Sequence, residues 1–163
     1  MHLLKNIIKI IIIFSSFLLF TPIIKDIKLK SNIDKVITEP KIKSIYEGFI
    51  YIPKFNYKNI IKKDNNALDE NYILMPKFSD NIGENIIVLA GHNNKYVFNK
   101  IYYLNKGDEI VISDFSIDYR YVVMNTKYIK VDDYDFLNNN NSLILMTCTD
   151  NNQERFIVIA KRE

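Results

Sequence analysis

Residues 142–160, SLILMTCTDNNQERFIVIA, contain two apolar runs separated by a polar turn. Short apolar runs bounded by Asp, Asn and Gln are typical of buried β-strands joined by a tight connection. If the two strands pair as a hairpin, Cys148 at the end of the first lies beside Arg155 at the start of the second. A thiol at the mouth of a strand can meet a substrate. This stretch therefore predicts a β fold and a candidate reactive site together.

The chain from Tyr46 onward repeats this pattern of short apolar or alternating runs punctuated by turns. The other predicted strands are residues 49–52, 72–75, 85–90, 109–112, 119–124 and 128–131. Short helical connections are expected around residues 96–104 and 132–137, and residues 56–71 are expected to form a loop. About eight strands rich in Ile, Val, Tyr and Phe predict an all-β domain, either a barrel or a sandwich.

The N-terminus has a different character, with a nearly continuous apolar run over residues 10–20 that extends to Ile24. Together with residues 7–9 the run reaches the length of a membrane-spanning helix, and no small residues follow it where a signal peptidase would cleave. We therefore predict a single-pass, uncleaved membrane anchor at residues 1–24, a stalk or linker at 25–45, and one domain at 46–163. Lysines flank the apolar run on both sides, so charge alone does not fix its orientation.

The distribution of charge excludes one class of function. The first thirty residues carry five lysines and Asp26, a net charge of +4, so residues 31–163 carry −1 of the chain's +3. A domain without net positive charge lacks the electrostatic footprint of a nucleic-acid-binding protein. The lysine-rich segment beside the apolar run is better explained as a contact with anionic lipid or as a solvated stalk.

Three residues at predicted strand ends form a candidate catalytic group. His92 follows the run 86–91, Cys148 follows the run 142–147, and Arg155 begins the last strand. A thiol nucleophile needs a base within hydrogen-bond reach, and a permanently charged guanidinium supplies donors for an oxyanion without competing as a base. The alternative is a buried structural Cys beside a solvated His and a surface Arg.

Several segments resemble the sortases, the membrane-anchored cysteine transpeptidases of Gram-positive bacteria. The segments that carry this resemblance are AGH at 90–92, LMTC at 145–148, RFIV at 155–158, EGFIYIPK at 47–54, FNKIYYL at 98–104 and KGDEI at 106–110. They occur in the family's order over residues 47–163. The chain departs from the family at Ile144, where a Thr is usual.

The resemblance implies a closed sortase-like β-barrel of about eight strands with short connecting helices. It also implies that Cys148 attacks a sorting signal similar to Leu-Pro-x-Thr-Gly, that His92 transfers protons, and that Arg155 holds the substrate carbonyl. Thr147 and Ala90 are the expected substrate-binding residues. The implied partners are sorting-signal-bearing surface proteins and an amine of a cell-wall precursor, and the catalytic domain is expected outside the cell membrane.

The class and the reaction leave alternatives open. Class B sortases carry a long helical insertion, but only a dozen residues separate residues 131 and 143 here. Many class C members carry an Asp-Pro-aromatic motif, and none precedes Tyr46 in this chain. We therefore expect a class A-like or class D-like member. The alternatives are a His-Cys peptidase that hydrolyses its substrate, a pilin-polymerising sortase, and a non-catalytic membrane-anchored β domain with a buried Cys.

Acidic residues lie where some class A members bind an activating Ca²⁺. They are Asp80, Glu84 and Asp135, and Lys77 stands where another carboxylate would help. Because Ca²⁺ needs several oxygen ligands at once, we interpret these residues as solvated loop charges and expect no metal or other cofactor.

Overall fold

A computed structural model describes residues 27–39, 45–150 and 153–163. Within residues 45–163 the chain forms eight β-strands, and short 3₁₀ helices lie in the connections. The strands are β1 (Gly48–Ile52), β2 (Tyr57–Lys62), β3 (Ile73–Leu74), β4 (Ile86–Gly91), β5 (Glu109–Ser113), β6 (Asp118–Lys130), β7 (Ser142–Cys148) and β8 (Glu154–Arg162). The 3₁₀ helices are Pro53–Phe55, Asn65–Ala67, Asn99–Tyr103 and Asp135–Asn138.

The eight strands close into a barrel in the order β1-β2-β3-β4-β7-β8-β6-β5, and β5 pairs back onto β1. Most neighbours are antiparallel, but β2 and β3 are parallel, and so are β4 and β7, with Gly91 opposite Thr147. The barrel interior is filled by fully buried aliphatic and aromatic side chains such as Ile50, Leu89 and Tyr121. The closed all-β barrel implied by the sequence is therefore the observed fold.

One edge of β4 is completed by side chains instead of a full-length strand. β3 is only two residues long and meets β4 at a single pair, Leu74 with Ala90. Beyond that pair, the Ser79 hydroxyl accepts a hydrogen bond from the Val88 N–H at 2.9 Å, and the Asp80 carboxylate accepts one from the Ile86 N–H at 2.8 Å. These side chains satisfy backbone donors that a neighbouring strand would otherwise bind.

The prediction that residues 56–71 form a loop is wrong, because this segment contains β2. Two buried polar residues, Asn59 and Lys62, interrupt the apolar pattern of that strand. Asn59 Nδ2 donates to the backbone oxygens of Asn71 and Tyr96, and Lys62 Nζ forms an ion pair with Glu70. Partners supplied by distant segments make these polar residues acceptable in the barrel wall.

The prediction of separate strands at 119–124 and 128–131 is also wrong. Both belong to the thirteen-residue β6, whose register shifts between Val123 and Asn125. The residues that follow the bulge, Asn125 to Lys127, are polar and exposed or half-buried, so their sequence resembles that of a turn. The predicted number of strands is right only because this extra division offsets the missed β2.

Residues 27–38 form an α-helix inside the segment 25–45 that the sequence assigns to a stalk. Ile33, Val36 and Ile37 follow one another within it at the spacing of one helical face. Within the described part of the chain, no helix has both the length and the apolar character needed to cross a membrane. The predicted anchor at residues 1–24 lies outside the described residues.

Candidate active site

The parallel pairing of β4 and β7 brings two of the predicted site residues to one end of the barrel. Ala90 pairs with Met146 and Gly91 with Thr147, so the two strands end at the same level. His92 follows Gly91 directly, and Cys148 is the last residue of β7. Neighbouring strands lie about 4.8 Å apart, so the backbones of His92 and Cys148 are adjacent.

The turn after β4 fixes the backbone of His92 and leaves its side chain exposed. The His92 carbonyl accepts hydrogen bonds from the Asn94 N–H at 2.9 Å and the Phe98 N–H at 3.0 Å. Gly91 is required at this point because a Cβ there would lie 2.5 Å from Val97 Cγ1 and 2.7 Å from Phe98 Cδ2. The turn can therefore fold back against the strand only over a glycine.

Arg155 lies opposite Cys148 in the antiparallel β7–β8 pair, as the predicted hairpin requires. Directly opposite residues in such a pair project from the same face, with Cβ atoms about 5 Å apart. One nitrogen of the guanidinium donates to the Glu154 carbonyl at 3.2 Å. Arg155 and Cys148 are both half-buried, so a cationic group stands beside a partly accessible thiol.

Thr147 and Ala90, the predicted substrate-binding residues, lie in the same two strands. Thr147 is buried, and its hydroxyl donates to the Gly91 carbonyl at 2.8 Å, which ties β7 to β4 immediately before the two candidate catalytic residues. Ala90 is half-buried. Because side chains alternate along a strand, Ala90 and Met146 project to the face that carries Cys148.

A cluster of apolar side chains packs on the outer side of the same strands. Val88, Ile144 and Ile157 cluster there with Phe136 from the 3₁₀ helix Asp135–Asn138. Met146 packs against this cluster while remaining partly exposed. The cluster itself is buried, so Met146 at its edge is the accessible apolar contact that it offers on the face that carries Cys148.

Tyr102 is a residue of the site that the sequence analysis did not identify. Its hydroxyl donates to the Cys148 carbonyl at 3.1 Å, and its ring stacks on Phe156 with centroids 4.5 Å apart. Burial raises the pKa of Tyr102, and the nearby Tyr128 and Asp150 raise it further. The hydroxyl therefore stays protonated at neutral pH and holds the backbone at the end of β7. In the sequence, only its helical spacing with Phe98 marked it as packed.

A groove of about 440 Å³ opens beside Cys148, and we call it the tyrosine groove. Its lining residues come from the turn after His92, the 3₁₀ helix Asn99–Tyr103, β6 and the β7–β8 connection: Asn93, Asn99, Tyr102, Tyr103, Tyr128, Thr149 and Asp150. Asn93 Nδ2 donates to Asp150 Oδ1 at 3.0 Å, so the groove is held together across its two loops. The sequence analysis treated Asp150 only as part of a turn.

Two of the three acidic residues considered for Ca²⁺ have protein partners for their carboxylates. Asp80 accepts the Ile86 N–H, and Glu84 accepts both the side-chain amide and the backbone N–H of Asn81. The hydrogen bonds from Asn81 lower the pKa of Glu84. Across the described ranges, no three His, Cys, Asp or Glu side chains gather into a group that could hold a metal ion.

Comparison with protein families identifies the fold and the chain's relatives. The Sortase domain family matches residues 50–163, so the chain belongs to the sortase family. A comparison with curated proteins found no match.

The barrel is also similar to solved sortase structures. Sortase A of Listeria monocytogenes aligns with a TM-score of 0.64 at 23% identity, over 73% of this chain and 88% of that chain. The sortase D5 transpeptidase of Clostridium perfringens aligns at 0.66 and 24% identity, over 82% and 94%. A pilus-related sortase C of Group B Streptococcus aligns at 0.66 and 25% identity, over 74% and 68%. These three structures are of sortases named A, C and D, so the shared barrel does not distinguish between the classes.

Proposed function

We propose that this chain is a cysteine transpeptidase that cleaves a short sorting signal, similar to Leu-Pro-x-Thr-Gly, and transfers the acyl part to an amine. The observation that carries the proposal is the strand register at one end of the barrel. Gly91 pairs with Thr147, and Cys148 pairs with Arg155. The backbones of a base, a nucleophile and a fixed cation therefore meet at one end of the barrel, in a chain that belongs to the sortase family.

The first half-reaction forms a thioester. The Cys148 thiolate attacks the carbonyl carbon of the scissile peptide bond, and the Arg155 guanidinium donates hydrogen bonds to the oxyanion that develops. His92, as imidazolium, gives its proton to the departing amine when the C–N bond breaks. Arg155 suits its role because its charge is permanent and its planar donors are fixed in direction.

The second half-reaction releases the acyl group to an amine of a cell-wall precursor. Neutral His92 accepts a proton from the incoming amine, whose nitrogen attacks the thioester carbonyl and expels the Cys148 sulfur. Met146, which is partly exposed at the edge of the buried cluster, is the contact we assign to the apolar residues of the sorting signal. Thr147 acts by tying the strands together, and Ala90 leaves room for substrate on the shared face.

The proposed setting follows from the sequence. Residues 1–24 anchor the chain in the cell membrane, residues 25–45 form the stalk, and the domain at 46–163 works outside, where surface proteins and wall precursors meet. We retain the class A-like or class D-like assignment as part of this proposal. Because Cys148 is the chain's single cysteine, its labelling by a membrane-impermeant thiol reagent on intact cells tests the topology. Labelling only after lysis would contradict it.

The reaction is tested by incubating the purified chain, in detergent, with a panel of sorting-signal peptides and measuring products by mass. We expect an acyl adduct on Cys148 and, when an amine is added, an amide product in place of the acid. Cys148→Ala should form neither adduct nor product while keeping the melting temperature of the unmodified chain. Acid product alone at all amine concentrations would favour the hydrolytic peptidase, and a thiol unreactive under native conditions would favour the non-catalytic domain.

A further inference from the structure

The turn after β4 is held by the side chain of one of its own residues. Asn94 Oδ1 accepts hydrogen bonds from the Tyr96 N–H at 2.8 Å and the Val97 N–H at 3.1 Å. The Asn94 N–H donates to the His92 carbonyl at 2.9 Å. Asn94 therefore shapes the turn from within, and it also binds the backbone of the proposed general acid and base.

The Asn94 side chain also ties the turn to the barrel wall. Asn94 Nδ2 donates to Asn71 Oδ1 at 3.2 Å, and Asn71 lies two residues before β3. The buried Asn59 of β2 completes the connection, because its Nδ2 donates to the Asn71 carbonyl at 3.0 Å and to the Tyr96 carbonyl at 3.3 Å. We call Asn59, Asn71 and Asn94 the asparagine network.

His92 depends on this turn because the strand ladder ends just before it. The last paired residue of β4 is Gly91, which lies opposite Thr147. The His92 side chain is exposed, so the direction of its imidazole follows mainly from the backbone that the turn holds. Displacing a catalytic group by about 1 Å can lower a rate about a hundredfold. Small shifts of the turn should therefore change proton transfer before they change the fold.

We propose that Asn71 and Asn94 are positioning residues for His92, and that the hydrogen bond between them keeps the imidazole within reach of the departing amine. Asn59 anchors both segments to β2. This inference rests on the proposed transpeptidase function. It adds that residues outside the proposed catalytic group, on a different pair of strands, set the efficiency of proton transfer.

The hydrogen bond can be removed at Asn71 without changing the backbone. Asn71 has a φ of 59°, in the left-handed region that glycine adopts without strain, so Asn71→Gly deletes the side chain alone. The Asn71 carbonyl that binds Asn59 is retained. The matched control is Asn141→Gly, the same change at a φ of 54°. Asn141 is exposed and lies directly before β7 begins, at the end of the β4–β7 pair away from His92.

The test compares two substrates in single-turnover acylation of Cys148, with the purified full-length chain in detergent. One is a sorting-signal peptide, and the other is the same acyl segment as a nitrophenyl ester. The amine of the peptide needs a proton from His92 in order to leave, whereas nitrophenolate leaves without one. The ratio of the peptide rate to the ester rate at one pH cancels the folded fraction and the thiolate fraction, so it reports proton transfer.

We expect Asn71→Gly to lower this ratio about threefold to tenfold, the effect of one net hydrogen bond, and Asn141→Gly to leave it within about twofold. His92→Ala should lower the ratio further, because it removes the proton donor itself. An unchanged ratio in Asn71→Gly, or an equal fall in both glycine variants, would overturn the inference while leaving the transpeptidase intact.

A second variant removes the same hydrogen bond from the other side. In Asn94→Ser the hydroxyl still accepts the N–H groups of the turn, but it is too short to reach Asn71. Asn94→Ser should lower the ratio by a similar factor, and the double variant should lower it no further, because both changes delete one bond. Additive losses would overturn the proposed coupling. Absence of any acyl adduct on the unmodified chain with either substrate would instead overturn the proposed function, and this inference with it.

Discussion

The two ends of the parallel pair β4–β7 use their polar groups in opposite ways. Where the strands begin, the Asp80 carboxylate binds the Ile86 N–H, and the Asn85 side chain accepts the Asn141 N–H at 2.7 Å. Where the strands end, the His92 side chain is exposed and the Cys148 thiol is partly accessible. One end directs its polar groups to the protein's own backbone, and the other leaves them accessible to solvent.

This difference separates stability from chemistry within one structural unit. The strands share a single register, so neither end can move relative to the other without breaking the ladder. Hydrogen bonds at the start of the strands therefore hold the residues at the end in position. We expect substitutions at the start to change mainly the free energy of unfolding, and substitutions at the end to change mainly the rate.

After the complete loss of product expected for Cys148→Ala, the largest effect is expected at His92. His92→Ala should lower the rate of amide formation by about a hundredfold to ten-thousandfold, because both proton transfers lose their carrier. Its melting temperature should stay close to that of the unmodified chain, because the replaced side chain is exposed. Product formation within about threefold of normal would remove His92 from the mechanism and weaken the contrast between the two ends.

The next effect is expected along β8, which has an Arg near each end. Arg155→Lys should lower the rate of thioester formation by about a hundredfold to a thousandfold, because a point charge replaces the planar donors that the oxyanion needs. Arg162→Lys is the matched control. Arg162 donates to the Gly83 carbonyl at 2.9 Å and lies over the Tyr119 ring.

Arg162→Lys should leave that rate within about twofold, since its partners belong to the structural end. Single-turnover measurements by mass, with melting curves for both variants, compare the two positions directly. A rate for Arg155→Lys within about threefold of normal would make it an ordinary strand-end charge, and the oxyanion would then need backbone donors near Cys148.

At Ser79 we expect a smaller effect, and we expect it on stability instead of on the rate. Ser79→Ala removes the acceptor of the Val88 N–H in the buried part of β4. An unsatisfied buried donor costs about 1–3 kcal/mol, so the melting temperature should fall by several degrees while the rate per folded molecule stays within about twofold. A large loss of rate with unchanged stability would reverse the assignment of the two ends.

The smallest effect concerns a surface ion pair beneath the tyrosine groove. Lys54 Nζ lies 2.7 Å from Asp108 Oδ2 and also donates to the Tyr103 carbonyl. Burial alone would raise the pKa of Asp108, but hydrogen bonds from Lys54 and the Asn105 N–H lower it. A lowered carboxylate pKa contributes stability that is fully present above the ordinary value near 3.9 and is lost as the pH falls through the lowered value.

Lys54→Met should therefore lower the free energy of unfolding at pH 7 by about 0.2–1 kcal/mol, so it should unfold at lower urea than the unmodified chain. At a pH below the lowered pKa of Asp108, the part of this difference that comes from the ion pair should vanish. Urea titrations of both chains at the two pH values measure this change. A difference that is independent of pH would assign the effect to the hydrogen bond with Tyr103 alone.

Much of the architecture was accessible from the sequence because burial leaves a local record. Strands β4, β7 and β8 are buried on both faces over most of their length, and they appear as continuous apolar runs. β2 was missed because Asn59 and Lys62 are buried with partners from distant segments. No local pattern records those partners, since they meet only in the folded chain.

The sequence by itself determined the all-β class, the candidate residues His92, Cys148 and Arg155, and the hairpin that joins the last two. Each of these depends on residue type and short-range spacing, which the chain carries along its length. The tertiary structure alone decided that β4 pairs in parallel with β7, that Tyr102 binds the Cys148 carbonyl, and that Asp150 faces a groove of tyrosines. These contacts join residues more than twenty positions apart, and only closure of the barrel brings them together.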